Sequence, residues 1–513
     1  MMEQQMLLQR EEPLSNSGHA QLNSDTSARR RSNPRDISHW DAEDVAAWEA
    51  GNKVIARRNL FWSVVTVHLG YSVWTLWPVL VLFMPQSVYG FSAGDKFMLD
   101  TVATLVGACT RLPYSLATTI FGGRNWAIIS VTALLVPTIG TLVLLTHPGL
   151  PLWPYLVCAA LTGLGGGNFA ASMSNANAFY PHRLKGSALG IAGGVGNLGV
   201  PTIQLVGLLI IAVFGDGKPY LVCGLYAVLL ICGAIGVTLF MNNVEQHRVK
   251  ANRLRPIISA VLSIRDTWLL ALLYLGTFGS FIGFSFAFGQ VLQTNFVAAG
   301  ESTAQAALHA AELAFLGPLL AAVARVYGGR LADRLGGSRL TLVVFVAMTL
   351  VAGLLIGAGS LEDRHSGPMR GASMAGYFVC FIALFILSGL GNGSVYKMIP
   401  TIFEACSREL HLGSDLSEAD RRDWSRLISG VAIGLVASLG AFGGVGINLA
   451  LRESYVATGA ATDAFWIFMV FYAGAAALTW KVYVRRPVGY LPALQPAAVE
   501  LVAQPAAVEL VGR

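Results

Sequence analysis

TRLPYSLATTIFGG, Thr110 to Gly123, and ARVYGGRLADRLGG, Ala324 to Gly337, each carry an arginine at their second position, next to an apolar stretch, and close with a glycine pair. Arg111 precedes Gly122-Gly123 by the same interval at which Arg325 precedes Gly336-Gly337, and the two stretches fall in different halves of a 513-residue chain. Apolar runs extend outward from both. The whole sequence is 54% hydrophobic and 12% charged, whereas a soluble chain is about one-quarter charged. Most of its surface therefore does not face water.

A helix crossing the hydrocarbon needs roughly 20 mainly apolar residues. Segments of that kind are expected near 60–84, 97–121, 126–147, 151–180, 187–214, 219–241, 267–296, 303–328, 338–358, 372–403, 427–450 and 463–484. The fold class this implies is an all-α integral membrane protein of about twelve transmembrane helices. A polar connection with Arg248, Lys250, Arg253 and Arg255 divides the helices into two sets of six. A second repeat supports the division, since Gly163-Leu164-Gly165 is echoed by Gly389-Leu390-Gly391. The expected organisation is an N-terminal tail at 1–58, a first six-helix half at 59–241, a central loop at 242–266, a second half at 267–484 and a tail at 485–513.

The first tail is polar, carries Arg29-Arg30-Arg31 and lacks the apolar core of a signal peptide, so it is expected to be largely disordered and uncleaved. The second repeats QPAAVELV, Gln495 to Val502 and Gln504 to Val511, which also suits a disordered extension. Most of the 35 Lys and Arg residues lie in the tails and even-numbered connections, with Lys96, Lys218, Arg364, Arg370 and Arg452 on the other side. The positive-inside rule then puts both termini in the cytoplasm of a multi-pass cell-membrane protein. A net charge of +6 gathered at membrane borders points to anionic lipid and not to nucleic acid. The six cysteines have no CxxC spacing and read as small packing residues, so neither a metal nor a cofactor is expected.

Arg111, Arg325 and Lys397 are basic residues within apolar segments. A charge there costs at least about 2.5–3.5 kcal/mol and marks a pathway or a partner. Arginine cannot shed its proton to escape that cost. Arg111 lies about 15 Å from the cytoplasmic end of its helix and Arg325 has the same offset from its closing glycine pair, which puts both near the bilayer centre. Asp100 and Glu312 are roughly 16 and 20 Å away along the same helices, too far to pair within them. Two guanidinium groups facing each other across the halves suit a planar oxyanion such as nitrate, nitrite or a carboxylate. Tyr114, three residues after Arg111, and Tyr274 with Phe278 at i, i+4 are candidates for the walls of the cavity. His68, one turn before Tyr71, can titrate near neutral pH. With Lys397 it is a candidate for coupling.

Two six-helix halves about a pseudo-twofold axis, with a site at the midplane, are the plan of the major facilitator superfamily. The loop Gly329-Arg330-Leu331-Ala332-Asp333-Arg334 resembles its short signature between helices 8 and 9, though the first-half counterpart Gly122-Gly123-Arg124-Asn125 lacks the acidic residue. GLGGGNFAASMSNANAFYPHRLKGSALGIAGGVGNLGV, Gly163 to Val200, and GLGNGSVYKMIP, Gly389 to Pro400, resemble the two signatures of its nitrate/nitrite porter family. The likeness runs from about Asn59 to Val484, and the N-terminal extension is similar to that of actinobacterial members. It implies an anion held by Arg111 and Arg325, aromatic contacts from Tyr71, Phe169, Tyr274 and Phe278, and a polar contact from Asn197. Tyr71 replaces the phenylalanine of some relatives, and Lys397 a neutral residue of the exchangers.

The function expected is nitrate/nitrite antiport by alternating access, by a chain acting as a monomer. Nitrate/proton symport through His68 or Lys397 is the alternative. A transporter-like nitrate sensor is a weaker one, since no signalling domain is attached, and no HExxH, Ser/Lys pair or cofactor motif suggests an enzyme.

Overall fold

With no water to satisfy the backbone, long apolar segments are held as helices. The computed structural model describes residues 35–485 apart from 39, 43, 216–217, 245–253, 363–367, 370 and 411–417. The first half comprises α1 (Val45–Trp74, continued by Leu76–Phe83), α2 (Ala93–Phe121), α3 (Gly123–Thr146), α4 (Leu152–Phe179), α5 (Ala188–Phe214) and α6 (Tyr220–Phe240). The second comprises α7 (Arg265–Ala298), α8 (Thr303–Leu335), α9 (Gly337–Glu362), α10 (Gly371–Phe403), α11 (Val431–Thr458) and α12 (Thr462–Val484). Among the described residues, ten of these helices, or eleven with the bent pair of α1, are long and apolar enough to cross a membrane. The remaining one, α2, has 29 residues and is made less apolar by Asp95, Lys96, Asp100 and Arg111.

The alternation of helices leaves both ends of the described chain on one face of the bundle, here called the terminal face. Within α7, 83% of the apolar window is buried, against 28% in α12. The former therefore lies at the junction of the halves and the latter at the periphery.

Four helix breaks have one cause. Thr75, Leu134, Leu198 and Phe315 interrupt α1, α3, α5 and α8, and each stands three residues before a proline: Pro78, Pro137, Pro201 and Pro318. Proline lacks the N–H that would bond the carbonyl four residues earlier, and its ring crowds that carbonyl. In α1 the axis bends by 47°, while the Thr75 hydroxyl donates to the Tyr71 carbonyl at 2.8 Å. In α5 the carbonyl so released belongs to Asn197.

Two sequence expectations need correction here. GRLADR is not a loop: α8 continues to Leu335, and the chain turns at Gly336, whose φ of 86° suits glycine. Gly328 is used for close approach, since a Cβ there would stand 2.7 Å from Leu390 Cα of α10. The first helix also starts earlier than 60, at Val45, and ordered chain precedes it. Asp36–Ile37 (β1) pairs in parallel with Asn243–Val244 (β2), and Trp40 and Trp48 pack edge-on against Phe179 and Tyr180 at the end of α4. The central connection contains a further helix, Leu254–Ser263. Arg29-Arg30-Arg31, Arg248, Lys250, Arg253 and the QPAAVELV repeat lie outside the described residues.

Candidate anion-binding site

Arg111 on α2 is fully buried, and Arg325 on α8 is 8% exposed. Each guanidinium is carried mainly by neutral groups. Arg111 Nη2 donates to Tyr71 Oη at 2.7 Å, and its Nη1 reaches the Ala437 carbonyl of α11 at 3.4 Å. Its Nε is buried without a partner among the described residues. Arg325 Nη2 donates to Tyr274 Oη at 3.5 Å. With the Asn197 amide turned so that its nitrogen donates to the Gly193 carbonyl, its oxygen accepts from Arg325 Nη1 at 3.0 Å; the hydrogen-bond network decides that orientation.

The aromatic rings cross between the halves. Arg111 lies 4.4 Å from the centre of the Phe278 ring of α7, in the opposite half, and Arg325 lies 5.5 Å from that of Phe169 on α4. Phe169 also stands 5.5 Å from Arg111, so one ring serves both cations. Tyr71 stacks on Phe169 at 6.0 Å and Tyr274 on Phe278 at 5.1 Å. The quadrupole of a ring face attracts a cation but supplies no countercharge. Neither guanidinium pairs with a carboxylate among the described residues. Asp100 faces Gln290 of α7 instead, at 2.5 Å, and Glu312 is exposed. Two buried positive charges thus flank the junction of the halves.

The structure brings together Arg111, Arg325, Tyr71, Phe169, Asn197, Tyr274 and Phe278, and it leaves three candidates outside. Tyr114 turns into the packing of α2, α3 and α4, edge-on to Trp126 at 5.0 Å and against Gly167. Lys397 is an exposed residue paired with Asp333 at 2.5 Å. Parallel packing of α8 and α10, which sets Gly393 against the Arg325 carbonyl and Gly329, carries Lys397 past the arginine to the level of Asp333. That partner belongs to the part of α8 whose motif resembles a loop. His68 faces the Val195 backbone of α5 and bridges two helices.

Two residues of the site carry no clear mark in the sequence. Trp74 stands 5.3 Å from Arg111 and donates its indole N–H to the Ala103 carbonyl at 2.8 Å; its spacing of three from Tyr71 is the available signal. Tyr396 of α10 stands 5.5 Å from Arg325 and 5.8 Å from the Tyr274 ring.

The halves meet at the level of the arginines and beyond it, away from the terminal face. Ser438 donates to the Ala108 carbonyl at 2.8 Å, Gln204 to that of Ser285 at 3.1 Å and Gln293 to that of Leu82 at 3.1 Å. Phe97 stacks on Tyr455 at 5.5 Å.

Two helical halves long and apolar enough to cross a membrane, with a charged site between them, have the arrangement of a membrane transporter. The Major Facilitator Superfamily pattern matches residues 60–414, and the chain belongs to that superfamily. It is 35% identical to the nitrate/nitrite transporter NarU of Salmonella typhimurium, over 88% of this chain and 96% of that protein. Identity is 34% to NarU of Escherichia coli over the same shares, and 29% to the probable nitrate/nitrite antiporter NarK2 of Thermus thermophilus, over 88% and 97%. Among solved structures, the Escherichia coli xylose transporter XylE in a partially occluded inward-open conformation superposes with a TM-score of 0.58 at 10% identity, over 85% of this chain and 100% of that one. A mutant form of the nucleoside transporter NupG gives 0.57 at 11%, over 83% and 100%. These two likenesses concern the fold alone.

Proposed function

We propose that this protein carries nitrate and nitrite across the cell membrane by alternating access, exchanging one for the other, with the anion held between Arg111 and Arg325. The observation that carries the reading is two buried guanidinium groups from opposite halves with no carboxylate facing either among the described residues. Desolvated cations without a counterion are costly, so a bound anion stabilises the state in which the halves close around it. Return without an anion would have to bury both charges uncompensated, which favours exchange over one-way flow. The planar fork of arginine suits a planar oxyanion, and the relatives named for nitrate and nitrite agree with that choice.

Exchange is also preferred to proton symport because, among the described residues, neither coupling candidate bonds to either guanidinium: Lys397 is paired with Asp333 and His68 faces a backbone. The protein is taken to act as a monomer in the cell membrane, with the terminal face in the cytoplasm, as the basic residues favour.

The test is nitrate uptake by proteoliposomes with internal nitrite and the pH gradient varied separately. Uptake should rise with internal nitrite and persist when the gradient is collapsed. Nitrate uptake that needs the gradient and ignores nitrite would reject exchange.

A further inference from the structure

Tyr396 differs from the other two tyrosines of the site in one respect. Tyr71 and Tyr274 each accept a hydrogen bond from a guanidinium, whereas the Tyr396 hydroxyl is buried and meets no hydrogen-bond partner among the described residues. The charges of both Arg325 and Arg111 act on it, so it stands within the field of the site and not in remote packing. A buried hydroxyl left unpaired is costly, and beside two cations an anion's oxygen is the strongest acceptor that a phenol O–H can meet. Helical side chains lean toward the N-terminus of their helix. That brings the Tyr396 ring back to the level of Arg325, while neighbouring Lys397 points round the helix to Asp333.

We propose that Tyr396 is a selectivity residue whose hydroxyl donates to the third oxygen of a planar anion held by Arg111 and Arg325, favouring nitrate over nitrite. The assignment rests on the nitrate/nitrite reading of the site. Nitrate presents an oxygen at each of three corners. Nitrite has two oxygens, and its third corner is a nitrogen lone pair, a weaker acceptor for a phenol. Once the guanidinium groups engage two oxygens, only nitrate offers Tyr396 a charged oxygen. A site built to hydrogen-bond one group discriminates against an analogue that lacks it.

The test uses the full chain with Tyr396→Phe, which keeps the ring and removes the hydroxyl. In proteoliposomes, uptake of labelled nitrate is competed with unlabelled nitrate and with unlabelled nitrite. The nitrate half-saturation concentration should rise by about tenfold and the nitrite inhibition constant by less than about threefold. A variant poor in reconstitution is measured in detergent, where stabilisation of the folded state by each anion reports the same two affinities. An unchanged ratio, or equal loss for both anions, in a variant that still exchanges overturns the assignment alone. Wild-type protein that responds to neither anion overturns the anion reading and this assignment with it.

Discussion

Phe278 and Phe169 each lie against an arginine of the opposite half, so the rings couple the halves directly to the charges. The 4.4 Å approach of Arg111 to Phe278 is the shortest of these contacts. A desolvated cation–π contact is worth about 2 kcal/mol, so Phe278→Ala should weaken nitrate affinity by roughly tenfold or more while the protein inserts and folds. Tyr274→Ala removes a stacked ring and the hydroxyl facing Arg325, and should weaken it too. Titration of purified variants with nitrate measures both, and unchanged affinity in the pair would return these residues to ordinary packing. Lys397→Gln removes only an exposed ion pair, worth about 0–1 kcal/mol, so nitrite-stimulated nitrate uptake should persist; its loss would make Lys397 part of the transport cycle. The arginines are legible in the sequence because a charge in an apolar helix is expensive wherever it sits. Tyr114 is misplaced by spacing alone, because a residue three positions on is turned by about 60° around the helix, and α4 offers Gly167 as a seat for the ring. Tyr396 gives no comparable signal, since the depth of an aromatic residue is fixed only when a second helix packs beside it.

At the scale of the elements, the apolar segments locate the helices, while some ends are misjudged: α1 starts at Val45, within polar sequence, and α8 runs on through Gly328-Gly329 to Leu335. Pro78, Pro137, Pro201 and Pro318 break helices without ending their passage through the bundle, and Gly328 lies inside α8 because α10 needs the space. A Cβ on Gly393 would stand 2.7 Å from the Arg325 carbonyl, a clash with backbone that no rotamer relieves. Gly393→Val should therefore force α10 away from α8, lower the thermal midpoint by several degrees, consistent with the roughly 1–3 kcal/mol usual for overpacking, and reduce nitrate affinity by displacing Arg325. Thermal unfolding with and without nitrate checks both effects, and wild-type values for each would contradict the described approach of the two helices.

For the whole molecule, the halves are joined at and beyond the arginines on the side away from the termini. Alternating access requires those contacts to part. With native cysteines replaced, Phe97→Cys and Tyr455→Cys joined by a short reducible cross-linker should stop nitrate/nitrite exchange, and reduction should restore it. Full exchange in the cross-linked protein would show that the halves need not separate there. Everything proposed for transport depends on both guanidinium groups holding the anion. The decisive measurement is equilibrium binding of nitrate to purified wild-type, Arg111→Lys and Arg325→Lys proteins, each confirmed to be folded. Lysine keeps the charge but not the planar fork, and losing a buried charged contact costs about 2–5 kcal/mol. Affinity should fall by about thirtyfold or more in each lysine variant. Wild-type affinity in either one would refute the two-arginine site.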